Sequence, residues 1–139
     1  MKVLPDYLLP DDNATPDSER KIHELLKSSK IGGYALHSLN IASSRHPADL
    51  EADFVLIGDF GLMVLEVKGG QVSVRNGNWT TKNSKGTHAI KQSPFNQAKR
   101  ACHELHTFLK DRGVPFSYRY GHAVVLPGTK SLPDSPEYQ

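Results

Sequence analysis

The chain has 139 residues, a formal net charge of +2 and a pI near 8.7. That length suits one compact domain, and 37% hydrophobic with 23% charged residues is a folding composition rather than a disordered one. The single cysteine, Cys102, excludes a disulfide framework and a multi-Cys zinc site and fits a reducing, cytoplasmic setting. No stretch approaches the ~20 apolar residues of a membrane span. Met1-Lys2-Val3-Leu4-Pro5-Asp6 lacks the apolar core of a signal peptide.

In chain order, residues 1–15 are rich in Pro, Asp and Asn and read as an irregular arm. Thr15-Pro16 is a helix start, with Thr as N-cap and Pro at the first helical position. The helix is predicted to run from Pro16 to about Ser29 with an apolar stripe of Ile22, Leu25 and Leu26, and to stop before Gly32-Gly33. Ala35 to Ala42 reads as a strand, Ser43 to Leu50 as a loop, and Ala52 to Ile57 as a second strand. Gly58-Asp59-Phe60-Gly61 turns this into a hairpin with a third strand, Leu62 to Val67, apolar on both faces as a central strand is. Asn76-Gly77-Asn78 joins a small hairpin of Val72 to Arg75 and Trp79 to Lys82. Asn83 to Ser93 reads as a polar basic loop.

Pro94 opens a second helix to about Arg112. Its stripe of Ala98, Ala101, Cys102, Leu105, Phe108 and Leu109 is the clearest amphipathic pattern in the chain. Tyr118 to Leu126 is a last strand. Two helices around these strands predict a mixed sheet with helices packed on it.

The net charge conceals an asymmetry. Eleven of the 15 acids lie at or before Glu66, and none lies from Gly69 through His103. That acid-free stretch carries Arg75, Lys82, Lys85, Lys91, Lys99 and Arg100, either a solvated basic segment or a phosphate-facing one.

Some charges break the apolar pattern. Glu66 and Lys68 lie two apart at the end of the third strand, so alternation puts them on one face. Asp53 opens the neighbouring strand, and the hairpin brings it close to Glu66. Two adjacent carboxylates repel, and a divalent cation relieves that repulsion; oxygen ligands favour Mg²⁺ or Mn²⁺. A structural alternative is a simple Glu66–Lys68 ion pair. Glu19 lies along the apolar stripe of the first helix, as a site acid or as a carboxylate favoured by the helix N-terminus. Gln97 sits at the edge of the second helix's stripe, facing Lys68 or serving as a surface residue.

Asp53 followed by Glu66-Val67-Lys68-Gly69 resembles the PD-(D/E)xK nuclease motif. The wider chain resembles the nuclease-related domain (NERD) family through Ser18-Glu19, Glu51 to Gly58, Phe60 to Gly69, Trp79, Pro94-Phe95-Asn96-Gln97 and Tyr120 to Pro127. Two positions depart from the family's usual pattern: Ser18 stands where Gly is frequent, and Leu50-Glu51-Ala52 replaces a polar lead-in.

The resemblance covers residues 16–128, leaving 1–15 as an arm and 129–139 as a tail or the start of a linker. It implies an α/β, restriction-endonuclease-like αβββαβ core with a mixed central sheet flanked by helices and a small inserted hairpin. It implies a site of Glu19, Asp53, Glu66, Lys68 and Gln97, with Mg²⁺ or Mn²⁺ held by Asp53, Glu66, the Val67 carbonyl and Glu19. The expected activity is metal-dependent hydrolysis of nucleic acid, DNA above all, with the six basic residues on phosphates. A helicase-type domain, fused or associated, is a partner the family implies. The alternative is a non-catalytic nucleic-acid-binding or regulatory module.

Other constellations are weaker. His103-Glu104-Leu105-His106 is one residue short of the zinc-binding H-E-x-x-H, and Cys102 on its apolar stripe reads as core.

Overall fold

A computed structural model describes residues 1–10, 13–41, 50–115 and 117–131. The elements in chain order are β1 (Lys2–Leu4), α1 (Asp17–Ser28), β2 (Tyr34–Ile41), β3 (Leu50–Gly58), β4 (Gly61–Val67), β5 (Gln71–Arg75), β6 (Asn78–Asn83), β7 (Gly86–Ile90), α2 (Pro94–Asp111) and β8 (Tyr120–Val125). The main sheet has the order β1-β2-β3-β4-β8. Its central hairpins β2–β3 and β3–β4 are antiparallel, while β1 joins β2 and β8 joins β4 in parallel, so the sheet is mixed as expected. Strands β5, β6 and β7 form a second, antiparallel sheet.

Alternation along the strands assigns the two faces. Val55, Leu62 and Val64 pack with Ala101, Cys102 and Leu105 of α2. Phe54, Leu65 and Val67 pack with Ile22 of α1 on the other side. The alternation breaks once. Ala52 and Val55 both belong to the α2-side core, although Phe54 between them faces α1. The break falls at Asp53, opposite Ser38, whose φ of 55° is left-handed and where the β2–β3 ladder skips a pair. The irregularity thus lies at the residue that bears the site carboxylate.

Two turns show why glycine stands where it does. Asn76 and Gly77 both have positive φ, 51° and 76°, as the two-residue turn between β5 and β6 requires. Gly61 has φ 104°, and a Cβ there would collide with the Arg119 carbonyl oxygen, which accepts from Leu62 N–H at 2.8 Å. That contact lays β8 against the start of β4.

Several expectations are corrected. The arm is not wholly irregular, because Lys2–Leu4 adds a parallel edge strand and the Met1 amino group donates to the Ser29 carbonyl at 2.8 Å. Helix α1 begins after Pro16, which is itself the N-cap residue, and no side chain caps it; Thr15 does not. Its buried stripe is Glu19, Ile22 and His23, with Leu26 packed beside it, whereas Leu25 is 63% exposed. The helix ends at Ser28, ahead of the glycines, with Ser29 N–H bonded to the Leu26 carbonyl.

The segment read as a loop after Asn83 contains β7, which turns the inserted hairpin into a three-stranded sheet. β3 starts at Leu50, two residues early, and β8 spans only Tyr120–Val125. Helix α2 matches its expected range and is capped by Ser93, whose hydroxyl accepts from Asn96 N–H at 3.4 Å. The predicted loop after β2, including His46 and Pro47, and the tail beyond residue 131 lie largely outside the described residues.

Candidate functional site

The strand β4 is buried along nearly its whole length, so its last residues carry their charges into the domain. Glu66 is only 3% exposed. Lys68, two residues on, lies on the same face with its Nζ 2.8 Å from Glu66 Oε1. Its N–H is held by the Val125 carbonyl of β8 at 3.0 Å, which fixes the strand end. Asp53 approaches from β3, and its Oδ2 accepts from Val67 N–H at 2.7 Å. A side-chain carboxylate here takes a main-chain donor of the neighbouring strand, so Asp53 is clamped beside the Glu66–Lys68 end of β4.

Asp53, Glu66 and Lys68 line a cleft of about 340 Å³, joined there by Gln97 and Arg100 from α2. Leu50, Glu51 and Gln92 complete the wall. The structure therefore brings four of the five predicted site residues to one place.

The fifth, Glu19, stands on the α1 side. Its Oε2 is 2.7 Å from His37 Nε2, and both side chains are nearly buried. It lies near enough to Asp53 and Glu66 to oppose the ionisation of both. His37 also packs on Phe54, ring centroids 4.8 Å apart, so the core holds the residue that holds Glu19. Ser18, the departure from the family pattern, fits because its partner is glycine: a Cβ on Gly69 would come 3.0 Å from the Ser18 hydroxyl.

Burial dominates the electrostatics. Asp53 is pushed up from 3.8 to about 7, first by desolvation and then by Glu66 and Glu19, against the pull of the Val67 N–H and Lys68. Glu66 is also raised, chiefly by burial, with Lys68 holding it down. Two carboxylates kept in such surroundings suit a hard cation with oxygen ligands. Among the described residues no three His, Cys, Asp or Glu side chains converge on one point. A divalent cation here would rely on Asp53, Glu66, main chain, water and substrate oxygen, as Mg²⁺ commonly does. The donor set fits.

The raised Asp53 value predicts a pH dependence. The folded chain binds this proton more tightly than the unfolded one, so the contribution to stability is full below about pH 4. It is lost as pH rises through about 7, leaving a cost of a few kcal/mol at neutral pH. Without divalent metal, Asp53→Asn should therefore melt progressively higher than wild type as pH rises from about 5 to 8. Melting curves in EDTA across that range check it, and a constant difference would contradict it.

The six basic residues do not form one patch. Arg100 lines the cleft with Asp53 and Glu66, while Lys85 lines a larger one, about 550 Å³, between the N-terminus of α1 and the β6–β7 turn. Lys91 lies beside Trp79, and Arg75 sits at the β5–β6 turn. Lys82 is on β6 and Lys99 is exposed on α2.

Sequence reasoning missed Gln92, Glu51 and His37. Gln92 and Glu51 carry no pattern of their own. His37 was legible only as a polar residue between Leu36 and Leu39. Cys102 is a core residue as expected, buried with its Sγ donating to the Gly121 carbonyl at 3.3 Å, and His106 stacks on Tyr120 at 4.1 Å.

No curated protein and no solved structure matches the chain. The sequence model of the nuclease-related domain, NERD, matches residues 16–127, which include α1, the β2–β4 hairpins, α2 and β8. The chain belongs to the nuclease-related domain family.

Proposed function

We propose that this domain hydrolyses phosphodiester bonds of nucleic acid, DNA in the first place, with Mg²⁺ or Mn²⁺ as cofactor. The observation that carries this reading is the placement of half-buried Asp53 and buried Glu66 with Lys68 in one polar cleft against α2. Asp53, Glu66 and the Val67 carbonyl would hold the cation, with Glu19 adding negative charge from behind through its own or a water contact. When bound, such a cation supplies Lewis-acid activation of the phosphate and of the attacking water.

The chain's own residues do the rest. Asp53 is oriented by Val67 N–H, so its carboxylate is held at the cleft without a search through rotamers. Lys68 orients or deprotonates the attacking water, or neutralises charge developing on phosphorus-bound oxygen. Gln97 positions Lys68 or that water. Arg75, Lys82, Lys85, Lys91, Lys99 and Arg100 contact backbone phosphates, a role independent of sequence.

The short Glu66–Lys68 contact also favours a second reading, a binding module in which this pair is structural. Two measurements separate them. In the catalytic reading Mn²⁺ or Mg²⁺ raises the melting temperature of wild type, and Asp53→Asn abolishes the rise, because a ligand bound only by the folded state stabilises it. In the binding reading DNA affinity falls steeply with salt while divalent metal leaves the melting temperature unchanged.

A further inference from the structure

The cleft at the ends of β3 and β4 has two walls of opposite chemistry. Among the described residues the strand wall carries Glu51, Asp53 and Glu66 with one cation, Lys68. Lys68 stands at the inner end of that wall, with its Nζ 2.8 Å from Glu66 Oε1. The opposite wall comes from α2 and the residues just before it: Gln92, Gln97 and Arg100, none of them acidic. Gln97 and Arg100 are three apart on α2 and so share a face. The helix beneath them is anchored by Ala98, Ala101 and Cys102, each at most 1% exposed. Arg100 itself is exposed, and among the described residues nothing engages its guanidinium in a hydrogen bond or ion pair.

A phosphodiester drawn to a cation held by Asp53 and Glu66 turns its remaining non-bridging oxygens toward the α2 wall. Among the described residues that wall offers them one cation, Arg100. We propose that Arg100 is a catalytic residue that clamps the scissile phosphate from the α2 wall, opposite Asp53 and Glu66. The proposal rests on the nuclease reading and goes beyond a general backbone contact: it places this arginine on the reacting phosphate.

The planar guanidinium gives two parallel N–H donors to two non-bridging oxygens, which an ammonium does not. In the net reaction the hydroxyl of water bonds to phosphorus. The bond from phosphorus to the leaving sugar oxygen breaks, its electron pair stays on that oxygen, and the second proton of water ends there. Charge on the non-bridging oxygens is redistributed on the way, and Arg100 stabilises it without giving or taking a proton.

The test is cleavage of end-labelled DNA in Mg²⁺ by wild type, Arg100→Ala and Arg100→Lys, with kcat and KM separated. Arg100→Ala should lose about 100-fold or more in kcat at saturating DNA. Arg100→Lys should recover under about a tenth of the wild-type rate, because the charge returns without the fork. Both variants should melt as wild type does, since the side chain is exposed. A raised KM with unchanged kcat, or full recovery in Arg100→Lys, overturns the clamp and leaves a general charge contact. Wild type that cleaves nothing in Mg²⁺ or Mn²⁺ sinks the nuclease reading and takes the clamp with it. The wild-type arm therefore tells the two failures apart.

Discussion

Lys68→Ala is expected to lower metal-dependent cleavage about 10³-fold, equivalent to about 4 kcal/mol in the barrier. The magnitude follows from where the lysine sits. Among the described residues it is the one cation on the carboxylate wall, 2.8 Å from Glu66, and its main-chain N–H is pinned to Val125. Its charge is thus held at fixed distance from the reacting centre, and preorganised charge of this kind does most of the work in phosphoryl chemistry.

The same substitution leaves Glu66 buried without its cation, so the Glu66 carboxyl should rise further and the domain should lose some stability at neutral pH. Circular dichroism at the assay temperature separates the two effects: a folded, inactive variant is the expected result. A variant that is folded and cleaves at the wild-type rate would assign Lys68 to structure alone.

Phe54→Ala is expected to destabilise the domain by about 3–5 kcal/mol. Phe54 is fully buried and has the largest volume of any such side chain among the described residues. It fills the α1-side core with Ile22, Leu65 and Val67 and packs against the His37 ring. Truncation would leave a cavity that α1 must collapse over, and α1 is a short helix whose stability comes from this packing. His37 would lose its support, and with it the fixed position of Glu19. Urea unfolding of both proteins gives the difference directly. A loss under about 1 kcal/mol would mean that α1 does not pack tightly over Phe54.

Much of this architecture was readable because its residues follow one rule at a time. The β3–β4 hairpin carries glycines at its turn and unbroken apolar runs, and the α2 stripe repeats at helical spacing over about three turns. What stayed hidden followed no local rule. Lys2–Leu4 is too short to show alternation and becomes a strand only by parallel pairing with β2. Gly86–Ile90 is almost wholly exposed, so it has no apolar face to read; its pairing to β6 is all main chain. His23 replaced Leu25 on the buried stripe because its ring reaches the Pro5 carbonyl at 2.7 Å, a contact with the arm that helical periodicity does not foresee.

The site was readable for a different reason. Asp53, Glu66 and Lys68 are charges where the pattern calls for apolar residues, and a hairpin of known turn brings them together. The alternation break at Ser38 and Asp53 was not readable, since neither residue signals a left-handed φ. Arg100 was seen as basic, but its place in the same cleft as Asp53 depends on how α2 crosses the sheet.

The most direct measurement is the rate of cleavage of end-labelled DNA by the wild-type domain as Mg²⁺ or Mn²⁺ is titrated into an EDTA-treated sample. If Asp53 and Glu66 hold a catalytic cation, there is no cleavage in EDTA, the rate rises and saturates with metal, and Asp53→Ala loses that response. Cleavage that persists in EDTA or survives Asp53→Ala, or DNA left intact at every metal concentration, would contradict a metal-dependent nuclease built on these two carboxylates.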